Sequence, residues 1–372
     1  MTLKVLQTIK YFYPSKGGME SVLINLINGV LRLTNKIDLT VYTNNHKSSW
    51  KLNELYFGTT KIIQEPSLFK IKSQPLKFSY SKLNYLIKNS DVVHHHFPFP
   101  NMEISLLLNL NLLKKKKFII TWHANVENTR WGKLKWFYFL IVEKLLKVCD
   151  FIVVTSPQLL ENSELLNKFR SKVVVIPLSF NSKILLNNAV EKEILKGDEF
   201  KVLFVGKLRD YKGLKYLIHA FREVDATLFI VGEGELESEL KKLVNELFLE
   251  NKIVFLKGLT DDELYQIYQE AHLFVLPSIN EAEAFGVVQL EAMAFGLPVI
   301  NTNLKSGVPF VSISGQTGLT VEPKSTIQLV EAINKMINDR TLYYEFSLNA
   351  KDRVKLFSEK EMAKSYLGLY EK

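Results

Sequence analysis

The amino-acid sequence predicts an α/β protein with two doubly wound, Rossmann-like domains that face each other across a cleft. Three observations support this prediction. Short runs rich in Val, Ile, Phe and Thr alternate with helical patterns along the chain. These runs are nearly all apolar, which is typical of parallel strands covered by helices on both faces. The alternation stops at a polar stretch and then restarts, and the 372 residues exceed the roughly 250–300 that one core usually serves.

The first half of the chain contains strand-like runs with long helical patterns between them. The helical patterns include ESVLINLINGVLRL and WGKLKWFYFLIVEKLLK. The strand-like runs are KVLQTIKYF, DLTVYT, DVVHHHF, FIITWHA, FIVVTS and VVVIPL. We therefore expect residues 1–184 to form an N-terminal Rossmann-like domain.

The second half repeats this pattern after the polar stretch NSKILLNNAVEKEILKGDE. Its strand-like runs are KVLFVG, TLFIVG, IVFLKG, LFVLPS and PVINTN, and helices are predicted near 213–223, 235–248, 261–270, 285–295 and 325–338. We expect residues 185–340 to form a second Rossmann-like domain and 341–372 a helical tail that packs back toward the first. Ligands of doubly wound sheets bind at the carboxyl ends of the strands, so the chemistry is expected in loops that face the cleft.

The composition and the N-terminus indicate a cytoplasmic protein. The single cysteine, Cys149, excludes a disulfide framework and fits a reducing compartment. The N-terminus lacks the pattern of a signal peptide. No uncharged apolar run approaches the roughly 18–20 residues that a membrane span needs.

The charge is distributed unevenly between the two halves. Residues 1–184 hold 26 Lys and Arg and 11 Asp and Glu, a net charge of +15, whereas residues 185–372 hold 22 and 28, a net charge of −6. This asymmetry indicates an anionic partner for the first half, either a nucleic acid or an acidic membrane surface. No nucleic-acid-reading motif accompanies the charge, so we expect no nucleic acid partner.

One basic segment of the first half suits a membrane surface. Residues 130–147 mix Trp and Lys with a long apolar stretch, and Lys114–Lys117 form a further basic run. Together they could lie on the anionic inner leaflet of the cytoplasmic membrane. The alternative is a helix packed in the core, with lysines that reach out to solvent.

The segment PSINEAEAFGVVQLEAMAFGLPVINTN predicts a loop, a helix and a strand. The helix is expected to start near Phe285, where the N–H groups of Phe285, Gly286 and Val287 would be open to an anion. Gly286 would let a phosphate or sugar approach closely. Glu283 precedes the helix, and Glu291 lies among its apolar positions, where a carboxylate needs a polar partner such as a sugar hydroxyl. Taken alone, two glutamates eight residues apart are more often solvated surface acids.

A second cluster, FVGKLRDYKGLKYLIHAF, predicts a strand, a turn at Gly206 and a helix. Lys207 and Lys212 flank a further turn that could place both on one diphosphate. Arg209 between them supplies a third cation. In isolation, such residues are often solvated loop cations.

Glycines follow two further strands. Gly232 and Gly234 come after TLFIV and before a helix, which indicates a tight turn or a nucleotide-binding loop. Gly17 and Gly18 open the first helix in PSKGGMES. They would allow positive φ angles and a close backbone approach, at a helix N-terminus that attracts anions; the alternative is an ordinary turn.

Histidines occupy two strand ends of the first half. The run at 94–96 could suggest a metal, but on a strand only His94 and His96 share a face, which gives at most two ligands. We therefore expect no metal site. His123 follows the strand FIITW, and a lone histidine at a strand end is more often structural than functional.

The segment EAFGVVQLEAMAFGLPVI closely resembles the acidic motif of the retaining glycosyltransferases of family four, which have the GT-B fold. The resemblance implies that Glu283 contacts the donor sugar and Glu291 the nucleotide ribose. It also implies that the backbone of Phe285, Gly286 and Val287 faces the sugar and phosphate.

The same family accounts for the other donor-side residues. The family usually has Arg at the position of Lys207 and Lys at the position of Lys212. Both residues are therefore expected to stabilise the charge of the leaving group. Arg209 could compensate for the replacement of the family's Arg by Lys207. The glycine loop at Gly232 and Gly234 would lie beside the nucleotide.

The resemblance extends to the first half, which it assigns to acceptor binding. The family has a GG-x-E loop at Gly17 and Gly18 that reaches over donor and acceptor. Its strand-end histidine, matched best by His96, lines the acceptor side, and the residue matched by His123 lies near the transferred sugar. HFPFPNMEISL, TWHANVENTRW, DFIVVTSPQLLENS and VVVIPLSFN look like bacterial mannosyltransferases that build O-antigen or capsule chains.

The resemblance therefore implies a retaining hexosyltransferase with His123, Glu283, Lys207 and Lys212 as its catalytic groups. The expected donor is GDP-mannose or a UDP-sugar, and the expected acceptor is a glycan or a lipid-linked sugar. No metal cofactor is expected, because the chain has no DxD motif. The alternatives are a nucleotide-sugar epimerase, hydrolase or phosphorylase on the same architecture, or a non-catalytic binder of nucleotide-sugars or nucleic acid.

Overall fold

The structure is a computed structural model, and it contains two compact units. It describes residues 2–15, 17–45, 51–66, 69–71, 74–76, 82–125, 134–181, 184 and 199–372. The first unit combines Met1–Leu178 with Glu359–Lys372, and the second is Ser179–Ser358. No helix among the described residues is both long enough and apolar enough to span a membrane.

The first unit is built on an eight-stranded sheet. Its strands and helices are, in chain order, β1 (Leu3–Thr8), α1 (Gly18–Leu33), β2 (Ile37–Asn44), β3 (Asn53–Phe57), β4 (Thr60–Glu65), β5 (Phe69–Ile71), β6 (Gln74–Leu76), α2 (Leu83–Lys88), β7 (Val92–Phe97), α3 (Pro100–Leu108), α4 (Leu110–Leu113), β8 (Lys117–Trp122), α5 (Leu134–Val148), β9 (Phe151–Val154), α6 (Pro157–Glu161), α7 (Glu164–Asn167) and β10 (Val173–Val175). The sheet order is β10-β9-β8-β7-β1-β2-β4-β3. All neighbours are parallel except β3, which runs antiparallel to β4.

The second unit is built on a six-stranded parallel sheet in the order β13-β12-β11-β14-β15-β16. Its elements are β11 (Lys201–Val205), α8 (Leu214–Ala220), β12 (Thr227–Val231), α9 (Glu237–Glu246), β13 (Ile253–Leu256), α10 (Asp261–Glu270), β14 (Leu273–Val275), α11 (Val288–Ala294), β15 (Val299–Thr302), α12 (Val308–Val311), β16 (Gly318–Val321), α13 (Thr326–Asn338) and α14 (Arg340–Val354). The two predicted Rossmann-like sheets are thus confirmed.

The central strands are buried on both faces. In β11, Val202, Leu203 and Phe204 are fully enclosed although they alternate in direction. Such continuous burial explains why their sequences are apolar without a polar alternation, and it requires helices on each side of the sheet.

Each sheet has one point at which the strand order reverses. In the first sheet this point lies between β1 and β7, and in the second it lies between β11 and β14. Loops diverge there and leave a crevice at the carboxyl ends of the strands. The predicted site residues of each half follow these strands or their neighbours.

The last helix, α15 (Glu359–Glu371), belongs to the first unit, whereas α14 belongs to the second. The predicted tail 341–372 is therefore divided between the units. Helix α15 packs on α1, where Gly29 has no side chain to hold the helices apart: a Cβ there would lie 2.7 Å from the Glu359 carbonyl oxygen. Arg32 forms an ion pair of 2.9 Å with Glu359. The unit boundary after Leu178 lies before the predicted one at 184, and most of the polar stretch that follows is outside the described residues.

Candidate active site

Lys212 and Glu283 form a buried ion pair in the second unit. Lys212 ends a short 3-10 turn, Asp210–Lys212, after β11, and Glu283 lies in the loop after β14. The Nζ atom lies 2.5 Å from the Oε2 atom, and the residues are only 6% and 8% exposed. Ser278 Oγ donates to the same oxygen at 2.9 Å. The fold therefore joins two predicted residues that are 71 positions apart in the sequence.

The other two predicted cations, Lys207 and Arg209, are exposed on the same loop. Neither forms an ion pair with any described residue. The expected arrangement had Lys207 and Lys212 together around one anion, whereas in the structure Lys212 is held by Glu283. Lys207 and Arg209 are thus the solvent-exposed cations of this loop, whereas Lys212 is buried.

The glycine loops after β11 and β12 pack against each other. The Gly206 N–H donates to the Val231 carbonyl at 2.9 Å. Gly232 has φ +146, and a Cβ there would overlap the Gly206 carbonyl. A Cβ on Gly234 would likewise overlap the Leu208 carbonyl. Gly232 and Gly234 therefore allow the loops after β11 and β12 to approach each other closely.

Helix α11 begins at Val288 and not near Phe285, which corrects the predicted start. The reason is Gly286, whose φ of +73 is left-handed and cannot continue a helix. Within the described residues, the N–H groups of Phe285, Gly286 and Val287 donate no hydrogen bond. These three N–H groups are therefore unbonded within the described residues, in a turn that precedes the helix.

Two buried side-chain amides, those of Gln289 and Asn301, stabilise this turn. Neither residue was among those predicted from the sequence. Gln289 Nε2 donates to the Phe285 carbonyl at 3.2 Å, and its Oε1 accepts from Asn301 Nδ2 at 2.9 Å. Asn301 also donates to the carbonyls of Val308 and Ser312, both at 3.1 Å. The carbonyl oxygen of Phe285 is therefore held toward the buried Gln289 side chain. Gln289 could have been identified from the sequence as a polar residue, like Glu291, among the apolar residues of this helix.

Glu291 has a protein partner that the sequence did not reveal. Its carboxylate accepts a hydrogen bond of 3.0 Å from Tyr268 of α10. The Tyr268 ring stacks on Phe295 with centroids 5.2 Å apart. Burial raises the pKa of Glu291 to about 7, although the bond from Tyr268 opposes the shift. Glu291 therefore titrates near neutral pH.

This raised pKa predicts a pH-dependent stability. The folded pKa of Glu291 is about 7, above the ordinary 4.5, so the folded state binds more protons than the unfolded state between these values. Its contribution to stability is greatest at low pH and is lost as the pH rises through about 7. We expect Glu291→Gln to be stabilised relative to the wild type at about pH 8 more than at about pH 5. Urea unfolding at both pH values measures the difference, and an equal difference at both would contradict it.

The first predicted loop of the first unit differs from expectation. Gly17 has φ −171, which is extended, and Gly18 is not among the residues with positive φ. A Cβ on Gly17 would overlap the Glu20 carboxylate, which folds back over it. Gly18 has open space around its Cα. Close approach, and not a left-handed backbone, accounts for Gly17.

His96 and His123 are brought together at the ends of β7 and β8. His96 Nδ1 lies 2.9 Å from His123 Nε2, and the two rings stack at 5.2 Å. Burial, followed by the nearby His95, lowers the pKa of His123 to about 4. His94 and His96 also have pKa values well below the ordinary value because they are buried. Both ring nitrogens of each have protein partners. The three rings are therefore neutral near pH 7.

Comparison with known proteins assigns a family description to each half. Residues 16–182 match the model described as Glycosyltransferase Family 4. Residues 187–353 match the model described as Glycosyl transferases group 1.

Individual relatives agree over nearly the full length. The chain is 29% identical to the O-antigen chain mannosyltransferase C of Escherichia coli, covering 99% of this chain and 98% of the relative. It is 29% identical to the D-rhamnosyltransferase WbpZ of Pseudomonas aeruginosa, covering 94% and 91%. The structure of Anabaena HepE in complex with UDP superimposes with a TM-score of 0.72, at 16% identity and 99% coverage of both chains. HepE has also been solved with UDP-glucose, with a TM-score of 0.70 and 17% identity, covering 98% of both chains.

Proposed function

Because the chain belongs to the glycosyltransferases, with a family 4 first half and a group 1 second half, we propose that it moves a hexose from a nucleotide-sugar to a lipid-linked or growing polysaccharide acceptor. The transfer would retain the anomeric configuration. The observation that carries this proposal is the buried Lys212–Glu283 pair beside the unbonded N–H groups at 285–287.

The donor diphosphate is the natural ligand for these groups. Backbone N–H groups and fixed cations are the donors that stabilise a phosphate oxyanion without reorganisation. In our proposal the amides of Phe285, Gly286 and Val287 bind the phosphates, and Lys207 and Arg209 close over them from the neighbouring loop. Gly206 belongs to the same site, since a Cβ there would lie 3.4 Å from Lys212 Nζ.

The sugar and ribose then have defined partners. Glu283 would accept a hydrogen bond from a hydroxyl group of the donor sugar, while its ion pair with Lys212 holds the carboxylate in position. Glu291, oriented by Tyr268, would accept hydrogen bonds from the ribose hydroxyl groups when it is deprotonated. His123 would hydrogen-bond the transferred sugar, and the Gly17–Gly18 loop would serve the acceptor side. His96, expected on the acceptor side, is buried with both ring nitrogens bonded, so it would act on the ligand only through His123.

The step itself breaks the bond between the anomeric carbon and the phosphate oxygen. The acceptor oxygen attacks from the same face and gives up its proton to the departing phosphate. Charge on the nucleoside diphosphate is met by Lys212, Lys207 and the three amides. No metal ion takes part in this proposal.

The donor is GDP-mannose in our first choice and a UDP-sugar in the second. The mannosyltransferase relative favours mannose, while HepE was solved with UDP-glucose. Purified protein should be incubated with GDP- and UDP-sugars and a lipid-linked acceptor, and the products analysed by mass spectrometry. A glycosylated acceptor supports transfer. An altered donor sugar without a product on the acceptor would indicate an epimerase, free sugar a hydrolase, and no turnover a binding protein.

We also propose that the protein works in the cytoplasm, peripherally on the anionic inner leaflet, through α5. One face of this helix packs in the core with Tyr138, Val142, Leu145 and Leu146. Its other face exposes Trp136, Phe137 and Leu140, the first two by 62% each, followed by exposed Lys144 and Lys147. At about 100° per residue these five positions fall within an arc of about 100°. An apolar and basic stripe of this kind suits an anionic lipid surface; Trp131 and Lys133, in the same predicted segment, lie outside the described residues.

We expect Trp136→Ser combined with Phe137→Ser to weaken binding to anionic vesicles by about 10-fold or more, because each buried aromatic contributes roughly 1.5–3 kcal/mol. Flotation with anionic and neutral vesicles measures the loss. The matched control is Leu348→Ser, a leucine 60% exposed on α14. Equal binding of the wild type to both kinds of vesicle would exclude the proposed surface.

A further inference from the structure

A chain of hydrogen bonds crosses the core of the first unit from α15 to His123. It starts at Tyr370, near the C-terminus, and passes through Gln7 of β1 and His96 of β7. Gln7 Nε2 donates to the Tyr370 hydroxyl at 2.9 Å, and Gln7 Oε1 lies 3.0 Å from His96 Nε2. His96 Nδ1 then meets His123 Nε2 at 2.9 Å. Tyr370 and Gln7, from opposite ends of the sequence, are thus connected to His123 through His96.

A branch of this chain continues in the other direction. The Tyr370 hydroxyl lies 2.8 Å from His94 Nδ1, and His94 Nε2 lies 2.7 Å from Thr121 Oγ1. Thr121 Oγ1 in turn bonds the Tyr366 hydroxyl at 2.8 Å. Every member other than His123 is nearly or fully enclosed. Buried polar groups without partners are costly, so the members of such a network fix each other's orientation.

The direction of each bond follows from the chemistry of its atoms. An amide oxygen only accepts and an amide nitrogen only donates. With the Gln7 amide oriented as in the structure, its oxygen requires a proton on His96 Nε2. A neutral His96 then has an acceptor at Nδ1, which requires a proton on His123 Nε2. Nδ1 of His123 is left as an acceptor, and it makes no hydrogen bond within the described part of the chain.

We propose that Tyr370, Gln7 and His96 are positioning residues that hold His123 in the tautomer with a proton on Nε2, so that its Nδ1 accepts a hydrogen bond from a hydroxyl group of the bound sugar. This inference rests on the proposed function for the identity of the ligand, but the tautomer itself does not. The low pKa values of His94, His96 and His123 agree with neutral rings throughout. The C-terminal helix thereby contributes to the site through the hydroxyl of Tyr370.

The test is a long-range 1H–15N NMR spectrum of protein labelled with 15N-histidine, recorded without substrate. We expect His123 of the wild type to show a single tautomer, protonated at Nε2. Protonation at Nδ1, or an even mixture, would overturn the inference. Because no substrate is present, this outcome is independent of whether the protein transfers sugar.

Two variants then connect the tautomer to turnover. Tyr370→Phe removes one hydroxyl from the hydrogen-bond chain. Gln7→Met removes both hydrogen bonds of the side-chain amide and keeps a similar side-chain volume. We expect a second His123 tautomer in each, with kcat reduced about 10-fold because a fraction of the molecules then has the wrong tautomer, and with KM for the donor nearly unchanged. Tyr343→Phe is the control, since it removes a buried hydroxyl that has no hydrogen-bond partner within the described residues. Unchanged tautomers and kcat in Tyr370→Phe would contradict the positioning role.

Discussion

Replacing Lys212 by Met is expected to reduce sugar transfer by about 10²–10³-fold, the effect of removing one group that stabilises developing charge in a closed site. Lys212 Nζ lies 2.5 Å from Glu283 and beside the Gly206 turn, where the departing diphosphate would form. Initial rates with saturating acceptor measure the loss. The same change also leaves Glu283 buried without its cation, which typically destabilises a protein by about 3–5 kcal/mol.

The double variant Lys212→Met with Glu283→Gln separates these effects. It removes both charges, so the fold should recover most of the lost stability while transfer stays low. Lys215→Met is the matched control, because Lys215 lies three residues away, is 47% exposed at its side chain and reaches Asp210 only at 3.8 Å. Full activity in a well-folded double variant would show that the pair has no part in transfer.

A large effect on stability is also expected for Gly232→Ala, which should lower the free energy of unfolding by about 3 kcal/mol. Two penalties combine there: φ is +146, which L residues rarely adopt, and the added Cβ would overlap the Gly206 carbonyl. Relief of the overlap would separate the loops after β11 and β12, so transfer should fall as well. Urea denaturation of the purified variant gives the stability.

Gly258→Ala provides the comparison for this prediction. Gly258 also has a positive φ, of +67, but a Cβ there would meet no atom within 4 Å. Its cost should be only the backbone strain, about 1 kcal/mol. If the two alanine variants were equally stable, loop packing at Gly232 would not be the constraint that the structure indicates.

The sequence predicted the strands at the sheet centres and the edge strands β10 and β13, and it missed β3, β4, β16 and the short β5–β6 pair. The runs KVLFVG and LFVLPS correspond to β11 and β14, whose apolar residues are enclosed on both faces. The missed strands include β3, whose positions are half-buried or exposed, and the four-residue β16, which starts at Gly318. Short or half-exposed strands lack the continuous apolar signal, because their pairing is determined by neighbours distant in the sequence.

The site was predictable in its residue types but not in its contacts. The glutamates and Lys212 lie where the motifs indicated, since loops at the carboxyl ends of neighbouring strands meet at the switch point. The pairing of Lys212 with Glu283 and of Glu291 with Tyr268 depends on tertiary packing between separate loops and helices. The predicted start of α11 was wrong because the left-handed backbone of Gly286 interrupts the helix. The sequence indicated only that a glycine at this position leaves space for a ligand.

Calorimetric titration of nucleotide-sugars into the protein tests most directly whether the second unit holds an activated sugar at the Lys212–Glu283 pair. The wild type and Lys215→Met should bind GDP-mannose or a UDP-sugar at one site with the same affinity, and the Lys212→Met/Glu283→Gln double variant should bind at least about 10-fold more weakly, a difference of about 1.4 kcal/mol. Failure of the wild type to bind any of these donors, or equal affinity in the double variant, would contradict the proposed site.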